Sequence, residues 1–431
     1  MATLKLGNFD SGKKPTDLRA FLKLYHTDGV LRTTDKFRDD DNNRFVEWQE
    51  GENIQELQEF LCNAGFMVKK YNEGVFDYVT EAAVRLFQEY IRTVDPADSS
   101  FVRDGKVGNG TWAKIKEWPE GKKCEWDLSR AQESSTHEEY NNWFKLLTAA
   151  KEYYSIPENQ GPIMKAVNAM SNTESTLKVG DWKFDKNRVH LIGIRRNESV
   201  ASEAKRRKND DLFILLMNGM VFKFWGSTDP QSRDQSQNTS PNKDEPYLVE
   251  GQHVYRFGWH KLGEIGSNAG KYASYRALRP AINQKTVVIR DWKRDNRLSE
   301  EDLIKNNGLG YGTYINIHWT GGRSNNTWSA GCQVIRAHSY MNHRNEAIDL
   351  SKFSASSYEE LYRNDKLDKG AYNMLADLVV CNTKIEFNPS TGKPKPQGMY
   401  YTLVNENEAL PIASILGENY VINALKAMKV E

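Results

Sequence analysis

The chain has no run of eighteen apolar residues anywhere in its 431 positions, so it holds no candidate membrane-crossing helix. It also lacks an excess of either charge. The 59 basic and 58 acidic residues leave a net charge of +1, without the concentrated basic excess of a nucleic-acid binder. The short basic run Lys205–Lys208 is followed by Asn209-Asp210-Asp211 and is expected to be a solvated loop edge. Cysteine is scarce: Cys62, Cys124, Cys332 and Cys381 are widely separated and form no C-x-x-C pair, so no disulfide framework can be read. The first residues, Met1–Asn8, lack the apolar core of a secretory signal, so synthesis in the cytoplasm without a signal peptide is expected. Apolar and aromatic residues are plentiful. A 39% hydrophobic fraction with 17 Phe, 20 Tyr and 11 Trp suffices for the cores of two or three domains.

Two residues suited to nucleophilic chemistry lie fourteen positions apart. Ile315 and Ile317 alternate with Tyr314, Asn316 and His318, a two-residue period that predicts a half-buried strand. The glycine-rich stretch Thr320–Arg323 follows, and Ser329-Ala330-Gly331-Cys332 leads into the apolar pair Val334-Ile335. Two neighbouring strands joined by this loop would bring the His318 ring and the Cys332 sulfur together. A histidine beside a cysteine promotes the thiolate, and small residues before it let backbone N–H groups turn toward a developing oxyanion. The plain alternative is a buried structural cysteine and a histidine that happens to end a strand.

These residues resemble the signature of the L,D-transpeptidase catalytic domain, the YkuD-like fold: a histidine, a loop, then Ser/Thr-x-Gly-Cys. The resemblance implies a β-rich domain acting on the stem peptides of bacterial peptidoglycan. Cys332 takes the nucleophile position, His318 the base position, and Ser329 and Gly331 the small positions before the cysteine. The family often has histidine where Ala330 stands and Arg or Asn where Val334 stands. With fewer polar groups to hold an acceptor amine, the expected outcome is hydrolysis rather than crosslinking. Trp319, Arg323, Trp328 and Arg336 flank the pair and are the candidate substrate contacts: indoles against sugar or peptide, arginines against a stem carboxylate.

A second pattern lies near the N-terminus. Ile54, Leu57-Gln58 and Leu61 recur at helical spacing, followed by Gly65-Phe66 and the turn Gly74-Val75-Phe76-Asp77. Thr80 is the expected N-cap of a second helix with Ala83, Val84, Phe87 and Gln88 on its inner face. Asp104–Gly108, Thr111-Trp112 and Ile115 complete the series. The ordered motifs resemble the peptidoglycan-binding domain 1 family, a three-helix bundle, which again implies the bacterial wall as partner.

The remaining chain reads more simply. Trp143, Phe144, Leu146, Leu147, Ala150, Tyr153 and Tyr154 predict a helix, broken by Pro157 and Pro162. Val189–Ile194 predicts a strand. Leu212–Met217 and Met220–Trp225 around Asn218-Gly219 predict a type I′ hairpin. Residues 227–246 read as a long polar loop. Asp291, Asp295 and Glu300–Asp302 lack the twelve-residue calcium-loop pattern. Histidines 253, 260, 318, 338 and 343 leave a zinc-dependent wall hydrolase as an alternative, although no H-E-x-x-H signature is present.

The combined expectation is a multidomain α+β protein. It comprises an N-terminal extension over 1–48, a helical peptidoglycan-binding domain over 49–120, a helical connector over 121–180 and a β-rich YkuD-like cysteine domain over 181–431. The expected activity is cleavage of stem-peptide amides through a thioester, as an L,D-carboxypeptidase or endopeptidase, with no metal or other cofactor. Crosslink formation or exchange and a non-catalytic wall-binding role are the alternatives. Action at the periplasm or wall then calls for delivery by a phage tail or secretion apparatus.

Overall fold

The computed structural model describes residues 2–15, 48–70, 72–94, 98–127, 129, 137–196, 209–230, 246–260, 275–293, 298–321, 329, 331–364, 367–383 and 398–415. Arg323, Trp328, Ala330, the basic run at 205–208, most of the polar loop at 227–246 and most of the expected N-terminal extension lie outside the described residues. The fold is mixed α and β, with nine α-helices among the described residues and a large sheet. The chain divides into two compact units. One combines Met1–Ser134, Phe257–Ala277 and Ile348–Lys395; the other combines Ser135–Arg256, Leu278–Ala347 and Pro396–Glu431.

In the first unit, strands β1 (Asn8–Phe9) and β2 (Gln49–Glu50) form a short parallel pair. Helices α1 (Ile54–Asn63), α2 (Tyr78–Thr93) and α3 (Asn109–Glu117) follow. The N-cap of α2 is Asp77 rather than Thr80: its carboxylate accepts the Thr80 N–H at 2.9 Å, as a cap accepts from the third helical residue. Two motif glutamines perform one task twice. The Gln58 amide accepts from Gly74 N–H at 2.9 Å and donates to Thr80 Oγ1 at 3.0 Å, across 16 and 22 residues. The Gln88 amide accepts from Gly105 N–H at 2.8 Å and donates to Thr111 Oγ1 at 3.2 Å, across 17 and 23 residues. Both glycines sit at positive φ, +73° and +71°, where a side chain is strained. Each glutamine thus ties one helix to the turn and first residues of the next.

Every residue of α2 is buried, so it is the central helix of this unit rather than a surface helix. Its polar side is met by α8 (Ala371–Asn382), which follows the short helix α7 (Tyr358–Arg363). Arg85 on α2 bonds Asp377 on α8 at 2.8 and 3.0 Å, and Arg276 reaches the same carboxylate at 3.1 Å. Arg103 pairs with Asp368 at 2.7 Å, and Arg92 with Glu89 at 2.8 Å. Such charges stay buried only while paired.

In the second unit, the predicted helix forms as α4 (His137–Ser155), and Pro162 starts α5 (Pro162–Ala169). The predicted strand and hairpin form as β3 (His190–Arg195), β4 (Asp211–Met217) and β5 (Met220–Ser227). Asn218 and Gly219 both have positive φ, as a type I′ turn requires. Strands β6 (Pro246–Leu248), β9 (Lys285–Arg290) and β10 (Gly310–Thr313) make a small antiparallel sheet. Helix α6 (Glu300–Lys305) lies between the last two. Ser299 is its N-cap and donates to the Asp302 carboxylate at 2.7 Å, and the same carboxylate accepts from Trp292 N–H at 2.9 Å, which gives Asp302 a structural task.

The main sheet adds β7 (Gly251–His260), β8 (Tyr275–Pro280), β11 (Ile317–Trp319), β12 (Gln333–Met341), β13 (Ala347–Asp349) and β14 (Met399–Asn405). Its order is β11-β8-β7-β14-β3-β4-β5-β12-β13. Because β11 also pairs with β12, eight strands close on themselves. β4 is buried on both faces. Leu212, Ile214 and Leu216 pack with Tyr140, Trp143 and Leu147 of α4, whereas Phe213 points the other way, its ring 6.2 Å from Tyr401. The last helix, α9 (Glu406–Ile415), adds Ala409, Ile412 and Ala413 to the α4 side.

Candidate active site

The site sits on the pair of strands that closes the sheet. β11 and β12 run parallel, with Ile317 opposite Gln333 and His318 opposite Val334, so Cys332 lies one step before the paired residues. The predicted continuous strand through Tyr314 does not form. β10 ends at Thr313, Tyr314 takes a left-handed backbone with φ 61°, and β11 begins only at Ile317. That break makes room for the cysteine. Cys332 Sγ donates to the Tyr314 carbonyl at 3.2 Å and accepts from Asn316 N–H at 3.4 Å.

The Cys332 sulfur and a ring nitrogen of His318 lie within 4.8 Å of each other. His318 is buried, and its Nδ1 is 2.7 Å from the Trp319 carbonyl. A carbonyl only accepts, so this contact assigns the proton to Nδ1 and leaves Nε2 as the basic nitrogen. The half-buried sulfur thus has a His318 ring nitrogen no farther than 4.8 Å away and a backbone donor that a thiolate would keep. The other cysteines lack this setting. Burial pushes the Cys124 thiol up to about 12 and Cys381 well above its ordinary value, and burial also raises Cys62.

The residues around the pair are fixed from behind. Tyr255 donates its buried hydroxyl to the Ile315 carbonyl at 2.8 Å. Burial, and then the nearby Cys332, keep that hydroxyl protonated. Gln333, next to the cysteine, donates to the Thr228 carbonyl at 3.2 Å and accepts from the Tyr401 hydroxyl. Thr228 donates from N–H and Oγ1 to Asp211 at 2.7 Å each, while Arg195 pairs with Asp229 at 2.9 Å. Burial first, and Asp229 second, push the Asp211 carboxyl up to about 7.

Gly331 has φ +123°, and a Cβ there would stand 2.7 Å from Pro246 Cγ and 2.9 Å from the Pro246 carbonyl. The small residue before the cysteine is thus required by both conformation and space. Ser329 is buried, and its Oγ has no hydrogen-bond partner among the described residues. Arg336 is half-buried on β12, four positions after Cys332. Trp319 departs from expectation. Its indole is completely buried, so it packs in the core and offers no face to a substrate. Of the zinc candidates, His253 uses both ring nitrogens, 3.0 Å from Thr176 Oγ1 and 3.0 Å from the Val249 carbonyl. Burial drops it to about 3. His343 is buried, its ring 5.7 Å from that of Phe222. His338 lies half-buried on β12, and His260 ends β7.

No family model, curated protein or solved structure matches the chain. The site therefore has to be judged on its own geometry. Sequence patterning missed Tyr314, Asn316 and Tyr255. The first two fall inside an alternation that imitates an ordinary strand, and Tyr255 is 77 residues from the cysteine it helps to position.

Proposed function

We propose that the protein is a cysteine acyl-transfer enzyme that cleaves amide bonds in the stem peptides of bacterial peptidoglycan. The observation that carries the chemistry is the Cys332 sulfur within 4.8 Å of a His318 ring nitrogen, with Asn316 N–H aimed at it. The substrate class rests on the two motif resemblances, one at each end of the chain.

His318 Nε2 takes the Cys332 proton, and the thiolate attacks a stem-peptide carbonyl, next to the third stem residue. Backbone N–H groups near Gly331-Cys332 hold the oxyanion. Collapse breaks the C–N bond, and the leaving amine takes the proton from His318. Water, deprotonated by the same ring, then attacks the thioester and returns the free thiol. An amine in place of water would give a crosslink. Wall contact by the helical residues 49–120 would hold the enzyme at its substrate, and a phage tail or secretion apparatus would deliver it.

The test is incubation with purified peptidoglycan and with muropeptides of defined length, read by mass spectrometry. Shortened or uncrosslinked stems are expected from the native protein and none from Cys332→Ala. Activity that survives Cys332→Ala and dies with a chelator would replace this reading with a metal-dependent one. Dimers without net cleavage would make the protein a transpeptidase.

A further inference from the structure

Tyr314 carries a cost that the fold does not explain. A bulky side chain at φ 61° is disfavoured, by about 1–2 kcal/mol relative to ordinary backbone. The strained backbone has a clear use, because the Tyr314 carbonyl accepts from the Cys332 thiol and its N–H donates to the Gln284 carbonyl at 2.9 Å. Glycine would provide both groups at the same φ without strain. The phenol ring is therefore not needed for the bend. Nor does it fill the core, since Tyr314 is 52% exposed. Its recorded ring contact is the Arg279 guanidinium, 4.8 Å from the ring centroid. Arg279 itself is buried and further held by the Gln284 side chain.

We infer that the Tyr314 ring is a substrate-contacting platform beside the nucleophile, backed by Arg279, which binds an acyl-donor peptide carrying a carboxylate close to the scissile amide. The inference rests on the stem-peptide reading and adds the residue that selects for it. The Tyr314 backbone carbonyl is one hydrogen bond from the attacking sulfur, so the exposed ring of the same residue leaves the chain where the peptide next to the reacting carbonyl would lie. The guanidinium behind the ring is a fixed positive charge at the same spot. Held in a partly dry setting, it favours an anionic peptide over a neutral one. Backbone strain beside a nucleophile is a recurrent way of fixing such a contact.

Tyr314→Gly separates the ring from the backbone, because glycine keeps the left-handed turn and the carbonyl. The full chain is assayed on muropeptides with a free stem carboxylate and on the same peptides amidated there. Iodoacetamide alkylation of Cys332 is followed in parallel. For Tyr314→Gly the expected result is a KM about tenfold higher on the free acid, kcat within about twofold, and an unchanged alkylation rate. Preference for the acid over the amide should shrink by a similar factor, and Tyr314→Phe, which keeps the ring, should keep that preference. Native turnover with no KM change in Tyr314→Gly overturns this inference alone. A Tyr314→Gly protein with lost alkylation also overturns it, because the ring would then be structural. Absence of native turnover on any stem peptide overturns both this inference and the proposed function.

Discussion

Gly331 shows how tightly single residues bind the site to its frame. Its φ of +123° excludes side chains, and the nearest atoms to an added Cβ belong to Pro246, one of them a backbone carbonyl that cannot swing away. Gly331→Ala should cost about 1–3 kcal/mol from the backbone alone. It should also displace Cys332 from the Asn316 N–H. A lower melting temperature together with a slower iodoacetamide reaction is the expected pair of readings. A fully stable, fully reactive Gly331→Ala protein would mean the glycine does not hold the sulfur. His318→Gln should leave the fold in place, since the side chain can still donate to the Trp319 carbonyl, but it removes the proposed base. Stem cleavage should fall by about 10²–10⁴-fold, the usual contribution of a positioned base, without a comparable change in melting temperature.

Among elements, α2 shows the N-terminal motif residues spent on the packing of their own unit. Leu57, Phe87 and Val84 are buried as expected, and Gln58 and Gln88 are consumed in tying turns to helices. What sequence spacing did not reveal is the partner of the other side of α2. Arg85 and Arg103 find their carboxylates at Asp377 and Asp368, more than 260 residues away. Removing Asp377 takes the shared carboxylate from two buried arginines, Arg85 and Arg276. Asp377→Ala should therefore destabilise the chain by about 3–5 kcal/mol, measured by denaturant unfolding. For the same reason a fragment ending near residue 120 should be poorly folded, because it lacks α8. A pull-down with insoluble peptidoglycan should therefore use the whole chain. Sedimentation with sacculi by the Cys332→Ala protein would support wall binding, and its absence would remove the targeting role.

At the scale of the second unit, buried titratable groups predict how stability follows pH. Burial first, and neighbouring Glu250 second, push Glu408 on α9 up to about 8 from 4.5. A raised carboxyl binds its proton more tightly in the folded state. Its stabilising contribution is complete below about pH 4.5 and is lost as pH rises through about 8. Asp211 behaves alike between 3.8 and about 7. His190 and His253 act in the opposite sense. Burial drops them to about 4 and about 3 from 6.5, so their contribution is lost as pH falls below 6.5. The two effects oppose each other between pH 4.5 and 6.5, and above 6.5 only the carboxyls act. The melting temperature should decline from pH 6.5 to 8, and Glu408→Gln should flatten that decline. An unchanged slope in Glu408→Gln would mean that Glu408 is already ionised in the folded protein.

The sequence by itself determined the local elements whose cause is local. Apolar spacing predicted α4, the Asn218-Gly219 turn predicted the β4–β5 hairpin, and prolines marked the break before α5. It also singled out Cys332 and His318, because a glycine-rich loop between short apolar runs is a local signal. Tertiary structure decided what depends on groups distant in the chain. The parallel pairing of β11 with β12 sets the sulfur beside the ring, and no residue pattern encodes that register. Interior packing turned Trp319 from a flanking indole into core. Closure around Cys332 turned Tyr314 from one more strand residue into a strained bend beside its sulfur. Periodicity reports which face of an element is apolar. Which other element covers that face, and which backbone must bend to admit a sulfur, follows only once the strands have closed.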